Sequence, residues 1–161
     1  GEPVTGFADG RPLFVRSATD KFNLANFMRA IISGAIGVLK IGNDILFNEE
    51  KIKVDRITGH GGLFTTPVVG QKILAAALNS PISCMETAGE GGPWGMAILA
   101  SYLVNNSKNQ SLAEFLDEVV FAGNTGTEIA PTPEEVEGFN TYIENYKKCL
   151  GIEKAAVELK D

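Results

Sequence analysis

The sequence predicts a mixed α/β domain, and two observations carry the prediction. Short apolar runs that read as strands alternate with segments of helical period, and two of the strand candidates end in a glycine-rich turn that opens a helix. A length of 161 residues suits a single domain, 1–161, large enough to bury a core.

Taken in order, residues 1–10 are loop-like and rich in Gly and Pro, and "PLFVR" (12–16) is a short strand candidate. From Asn23 to about Phe47 the chain has helical period, with Leu24, Phe27, Met28, Ile31, Ala35, Val38, Ile45 and Leu46 on one apolar face. Gly34, Gly37 and Gly42 weaken that helix by roughly 1 kcal/mol each relative to Ala, a cost that close packing against a sheet would offset. "KIKVDRITG" (51–59) alternates, then turns apolar, as a strand ending at Gly59 does. "PVVGQKILAAAL" (67–78) reads as a helix with Pro67 near its first position, where a missing N–H costs little.

"PISCM" (81–85) is a second short strand, followed by "ETAGEGGPWGMAILASYLV", a glycine-rich loop running into a helix from about Pro93 to Val104. Two capped helices close the chain. "SLAEFLDEVVF" opens with Ser111 and Glu114 as a capping box, and "TPEEVEGFNTYIENYKKCL" opens with Thr132, Pro133 and Glu135. Lys147 and Lys148 stand near the end of the latter, complementing the helix dipole, and 133–161 is expected to form a C-terminal helical extension.

Composition narrows the function. A net charge of −6 argues against a nucleic-acid partner, whose phosphates select basic surfaces. A single small phosphate ligand stays open, because backbone N–H groups can hold one. Cys84 and Cys149 lie far apart without a CxxC pattern, so they read as reduced thiols in a cytoplasmic protein. The most apolar stretch, "LANFMRAIISGAIGVLKIGNDIL", is interrupted by Arg29, Lys40 and Asp44, which argues against a membrane span. No signal-peptide pattern is visible, and the opening "GEPVTGFADGRPLF" reads as a processed tag scar or, the favoured reading, as a cut inside a longer chain.

Two motifs carry chemistry. "GHGG" (59–62) is not a Walker loop, which needs GK[ST] after the glycines, nor a GxGxxG fingerprint. Its glycines leave room for backbone to approach a flat ring or a phosphate, or they simply make a tight strand-to-helix turn. "GEGGPWG" (89–95) precedes a helix start, where free N–H groups and the positive dipole end gather; packing that tolerates only small residues is its plain alternative. Ligands of open α/β sheets sit outside the carboxyl ends of strands, so the two loops together would line one crevice. His60, the single histidine, reads as an incidental loop residue. A base or metal cluster with Glu86 and Glu90 lacks HxxH or HExxH spacing. Trp94 or Phe64 could stack on a base, or plug a helix start.

Three blocks in order, "RAIISGAIGVLK" (29–40), "ITGHGGLFTTPVVGQKILAAALNSPI" (57–82) and "GEGGPWGMAILASYL" (89–103), resemble the C-terminal domain of the FGGY carbohydrate kinases. These are the xylulokinase and ribulokinase relatives of the actin and hexokinase superfamily. Their pattern is a helix of the type RAxxEGxAFxxR, a strand ending in GGGA, a helix of the type QILADxLGxPV, a strand, and a helix opening with GALGAA. The resemblance implies a ribonuclease H-like (actin-like ATPase) α/β fold, incomplete at its N-terminal end. It implies that Gly59, Gly61 and Gly62, with Gly92 and Gly95, approach the adenine and ribose of ATP.

The parent enzyme so implied transfers the ATP γ-phosphate, with Mg²⁺, to a pentulose-like sugar hydroxyl. Its general base, sugar site and first phosphate loop belong to an N-terminal domain, and its second phosphate loop opens the C-terminal one. No catalytic residue and no metal ligand is therefore assigned here, and the chain alone is expected to be inactive. The partners implied are ATP, that N-terminal domain and its sugar, with a homodimer allowed. Departures from the pattern are Ser33 for Glu, His60 for Gly, Ala76 for Asp, and Leu63–Phe64 for the small residue after the glycines. They leave room for a non-catalytic nucleotide-binding or assembly module of the same fold.

Overall fold

The computed structural model describes residues 2–6, 8–105, 109–123 and 126–159, so the last two residues of the expected 133–161 extension lie outside the described residues. The chain divides into two compact units: Gly1–Asp55, Ile73–Asn79 and Pro131–Asp161 form the first, Arg56–Lys72 and Ser80–Ala130 the second.

The first unit is helical. Helix α1, Leu24–Asp44, starts where the Asn23 side chain accepts a hydrogen bond from the Asn26 N–H at 2.9 Å, and it widens into a π turn at Ile45–Glu49. The face it buries is not the one the periodicity predicts. Ser33, Ile36 and Gly37 are buried, whereas Leu24, Met28, Ile31, Ala35, Ile45 and Leu46 are exposed. The small residues decide this. A methyl on Gly37 would lie 3.2 Å from Ile143 Cδ1, and one on Gly34 3.6 Å from the Tyr142 hydroxyl. The glycines thus admit a helix, α5 (Pro133–Glu158), rather than the expected sheet, and Gly42 meets no neighbour within 4 Å.

Among the described residues one stretch, Leu24–Glu49, is long and apolar enough by length and composition to cross a membrane. Lys40 and Asp44 pair with each other at 2.6 Å, so the charges that interrupt the stretch argue less strongly against a span than they do as isolated residues.

Helix α5, Pro133–Glu158, forms as its capping box dictates: Thr132 Oγ1 accepts the Glu135 N–H at 3.2 Å and the Glu135 carboxylate accepts the Thr132 N–H at 2.9 Å. It runs well past Lys147 and Lys148, and its last turn holds no basic residue. Glu153, Lys154, Ala155 and Ala156 are good helix formers that outweigh the cost of Gly151, so the two lysines lie inside the helix rather than at its end. Phe139 and Ile143 are its buried positions.

Burial, then the charges of Tyr146 and Cys149, push the Tyr142 phenol from 10.0 up to about 12. A raised pKa means the neutral phenol is favoured in the fold, so its contribution is complete below pH 10 and is lost as pH rises towards 12. Urea midpoints are expected to fall over that interval, and Tyr142→Phe is expected to remove part of the fall.

The second unit holds a three-stranded sheet of order β1 (Ile57–Thr58), β2 (Ile82–Cys84) and β3 (Thr127–Ile129). β1 runs parallel to β2, with Ile57 opposite Ile82 and Thr58 opposite Ser83; β3 is antiparallel to β2, with Cys84 opposite Thr127. The central strand buries Ile82 completely. Helix α2, Val69–Leu78, contributes residues to both units. Its Gln71, 5% exposed, donates its amide N–H to the Ile82 carbonyl at 3.1 Å and to the Thr127 carbonyl at 3.0 Å. One side chain thereby ties a helix to β2 and β3. Gln71→Leu leaves those buried carbonyls short of a donor and is expected to destabilise the unit by about 1–3 kcal/mol, read as a lower urea midpoint. Helices α3, Gly91–Asn105, and α4, Leu112–Phe115, complete the unit; α4 widens into a π turn at Leu116–Val120 and carries the expected capping box.

Three sequence expectations are corrected. Residues 12–16 are not a strand; Phe14 instead packs its ring 5.6 Å from Phe22 and 5.2 Å from Phe27. The 51–59 strand shrinks to Ile57–Thr58, and Lys51, at φ 56°, takes the chain out of extended backbone. Helix α2 starts at Val69 rather than at Pro67, because Val68 sits in the left-handed region at φ 72°.

Candidate nucleotide site

The parallel pair β1–β2 fixes the site, because both chains leave it at carboxyl ends. The Gly59 N–H still donates to the Ser83 carbonyl at 2.8 Å, so the first loop departs in register with the second strand. The two glycine-rich loops then join directly. The Gly61 N–H donates to the Ala88 carbonyl at 2.6 Å. A methyl on Gly91 would lie 3.0 Å from His60 Cβ, and one on Gly89 3.1 Å from Thr65 Cγ2. A side chain at either position would push its neighbour back by a few tenths of an ångström, so glycine favours this approach of the loops.

The glycines of the two loops therefore have different duties. Gly59 is buried, and a methyl there would clash with the outer edge of the Phe64 ring, so Phe64 covers it. Gly61 has φ 103° and ψ −177°, a conformation that is essentially glycine's own, and it opens a short 3₁₀ turn at Gly62–Phe64. Gly62, Gly92 and Gly95 have no other atom within 4 Å of a Cβ position, and neither does Gly61. Of the five glycines singled out from the sequence, one is closed by protein and four border free space. Gly89 and Gly91, not singled out, are the ones that lock the loops. Four glycines crowded into seven residues signal such a place but do not tell locking positions from open ones.

Aromatic groups flank the opening. The His60 imidazole and Trp94 indole lie nearly parallel, 16° apart with centroids 6.3 Å from each other, and Phe121 stands 5.9 Å from Trp94. The Thr87 hydroxyl, in the turn between β2 and α3, is buried with no hydrogen-bond partner. Nearby, burial raises the pKa of the Cys84 thiol. Among the described residues no three His, Cys, Asp or Glu side chains are grouped to hold a metal ion, so His60, Glu86 and Glu90 do not make such a centre.

Two departures from the family pattern lie elsewhere. Ser33 and Ala76 line one small cavity of about 190 Å³ in the first unit, together with Arg29 of α1 and Glu135 of α5. Where the pattern has two carboxylates, this chain has two small side chains facing the same space.

The two interlocked glycine loops lie at the carboxyl ends of a parallel strand pair, the position at which open α/β sheets place ligands. A family model for the C-terminal domain of the FGGY family of carbohydrate kinases matches residues 1–104, well over half of the chain. The chain belongs to the FGGY family of carbohydrate kinases through that domain. Membership implies the actin-like ATPase, ribonuclease H-like fold family, and the three-stranded sheet flanked by helices is the mixed α/β form seen here. No curated protein and no solved structure gives a significant match.

Proposed function

We propose that this chain is most of the nucleotide-binding domain of a two-domain kinase whose full-length form transfers the ATP γ-phosphate to a pentulose-like sugar hydroxyl. The single observation that carries the proposal is the junction of the two loops. Gly61 and Ala88 hydrogen-bond across them, and Gly62, Gly92 and Gly95 face open space beside that bond. Backbone without side chains can lie flat against adenine and ribose, and the first turn of α3 offers N–H groups there.

ATP, bound with Mg²⁺, supplies the phosphoryl group. This chain's own residues bind and orient its adenosine end, with Gly61 and Gly62 on one side and Gly92 and Gly95 on the other. Gly59, covered by Phe64, shapes the loop from beneath. The domain would act as one jaw of a closing cleft, its sugar and general base being held by the partner domain. The free thiols Cys84 and Cys149 fit a cytoplasmic setting.

A second reading, a non-catalytic nucleotide-binding module, is favoured by the small residues Ser33 and Ala76 in place of the pattern's acids. Two measurements test both. Equilibrium dialysis is expected to show ATP bound to this chain, and a ketose panel with ATP–Mg²⁺ is expected to show no turnover above a blank. No ATP binding overturns both readings; turnover by the chain alone overturns the division of labour between domains. Adding the partner domain and regaining turnover separates the kinase from the non-catalytic module.

A further inference from the structure

His60 sits in the first glycine loop and Trp94 in the opening turn of α3, yet their rings lie within 16° of parallel with centroids 6.3 Å apart. Each is held from behind. The His60 backbone is fixed against the first residue of α3, where a methyl on Gly91 would come within 3.0 Å of its Cβ, and Trp94 is braced by Phe121 at 5.9 Å. His60 is exposed and Trp94 half-buried, so both rings reach the surface of the second unit. Gly92 and Gly95, in the same opening turns of α3 as Trp94, leave their own Cβ positions open. Both residues are departures: His60 stands where the family pattern GGGA has Gly, and Trp94 where GALGAA has Leu.

Resting on the nucleotide reading above, we infer that Trp94 and His60 form an aromatic shelf that takes the nucleobase by its face and selects purines over pyrimidines. Stacking on an aromatic platform needs no hydrogen-bond code, since every base has a π face. It grows with ring area, so a two-ring base gains more than a one-ring base, and adenine and guanine gain alike. The shelf thus sets a class of base rather than one base.

Trp94 is the single tryptophan, so intrinsic fluorescence reports on this shelf alone. Adenosine, guanosine and cytidine are titrated into the intact chain, by calorimetry and by Trp94 emission. The two purines are expected to bind alike and cytidine about tenfold more weakly, as loss of a stacked ring predicts. Trp94→Leu is expected to bring the purine-to-pyrimidine ratio close to one, Trp94→Phe to keep most of it, and His60→Ala to narrow it partway.

A purine preference unchanged in Trp94→Leu overturns the shelf and leaves the nucleotide site standing. An equal loss for all three nucleosides, ratio preserved, shows that Trp94 only packs, and also overturns it. No nucleoside binding by the unmodified chain overturns the nucleotide reading and the shelf with it. If Trp94→Leu fails to fold, the ratios of Trp94→Phe and His60→Ala decide.

Discussion

Gly95→Leu is expected to make the chain more stable and ATP binding at least tenfold weaker. The two signs come from separate physics. Gly95 lies inside α3 with no other atom within 4 Å of its Cβ position, so a side chain there enters free space. Replacing a helical glycine with a good helix former removes backbone entropy from the unfolded state and gains about 0.5–1 kcal/mol. If adenosine lies against this turn, the same side chain occupies the ligand's place, and losing about 1.4 kcal/mol or more of contact is a factor of ten in affinity. A raised melting temperature with unchanged ATP binding would show that the free space at Gly95 is not the ligand's. Gly61→Val is a poorer probe, because φ 103° strains any side chain and folding would fail together with binding. The open glycine separates the two effects, and the left-handed one cannot.

Much of this site was legible before the fold. Both loops, their exit from strands and their approach to one another follow from glycine runs placed after short apolar segments. The capping boxes at Ser111 and Thr132 also read directly, since they depend only on residues three apart. What failed was non-local. The apolar stripe of α1 reads as its core face, but two closely approaching helices select small residues, so Ser33 and Gly37 are buried and Leu24 and Met28 exposed. Nor did β3 show itself: Thr127 and Glu128 are exposed, and the strand exists because Gln71 and β2 supply its partners. The duties of the glycines were equally hidden. Only the fold shows Phe64 filling the space over Gly59 while Gly62 stays open.

Gly126→Ala tests whether β3 holds the site together. Gly126 precedes β3, and a methyl on it would overlap the Cys84 carbonyl oxygen, 2.8 Å from the Cys84 carbonyl carbon and 3.2 Å from the Met85 nitrogen. These are backbone atoms of the central strand, which cannot rotate aside as a side chain can. Overpacking of this kind costs about 1–3 kcal/mol, and the upper end is expected here because the obstacle is backbone. The damage should not stay local. Cys84 pairs with Thr127, Met85 accepts the Ala88 N–H at 3.0 Å, and Ala88 accepts the Gly61 N–H. Displacing the end of β2 therefore displaces the loop junction itself. Gly126→Ala should lower the urea midpoint and weaken ATP binding together, the opposite pattern to Gly95→Leu. Gly138→Ala, in open space on α5, is the matched control, with stability equal or higher and binding unchanged. A Gly126→Ala chain that unfolds at the original midpoint would mean that β3 yields without cost, and that the loops rest on β1 and β2 alone.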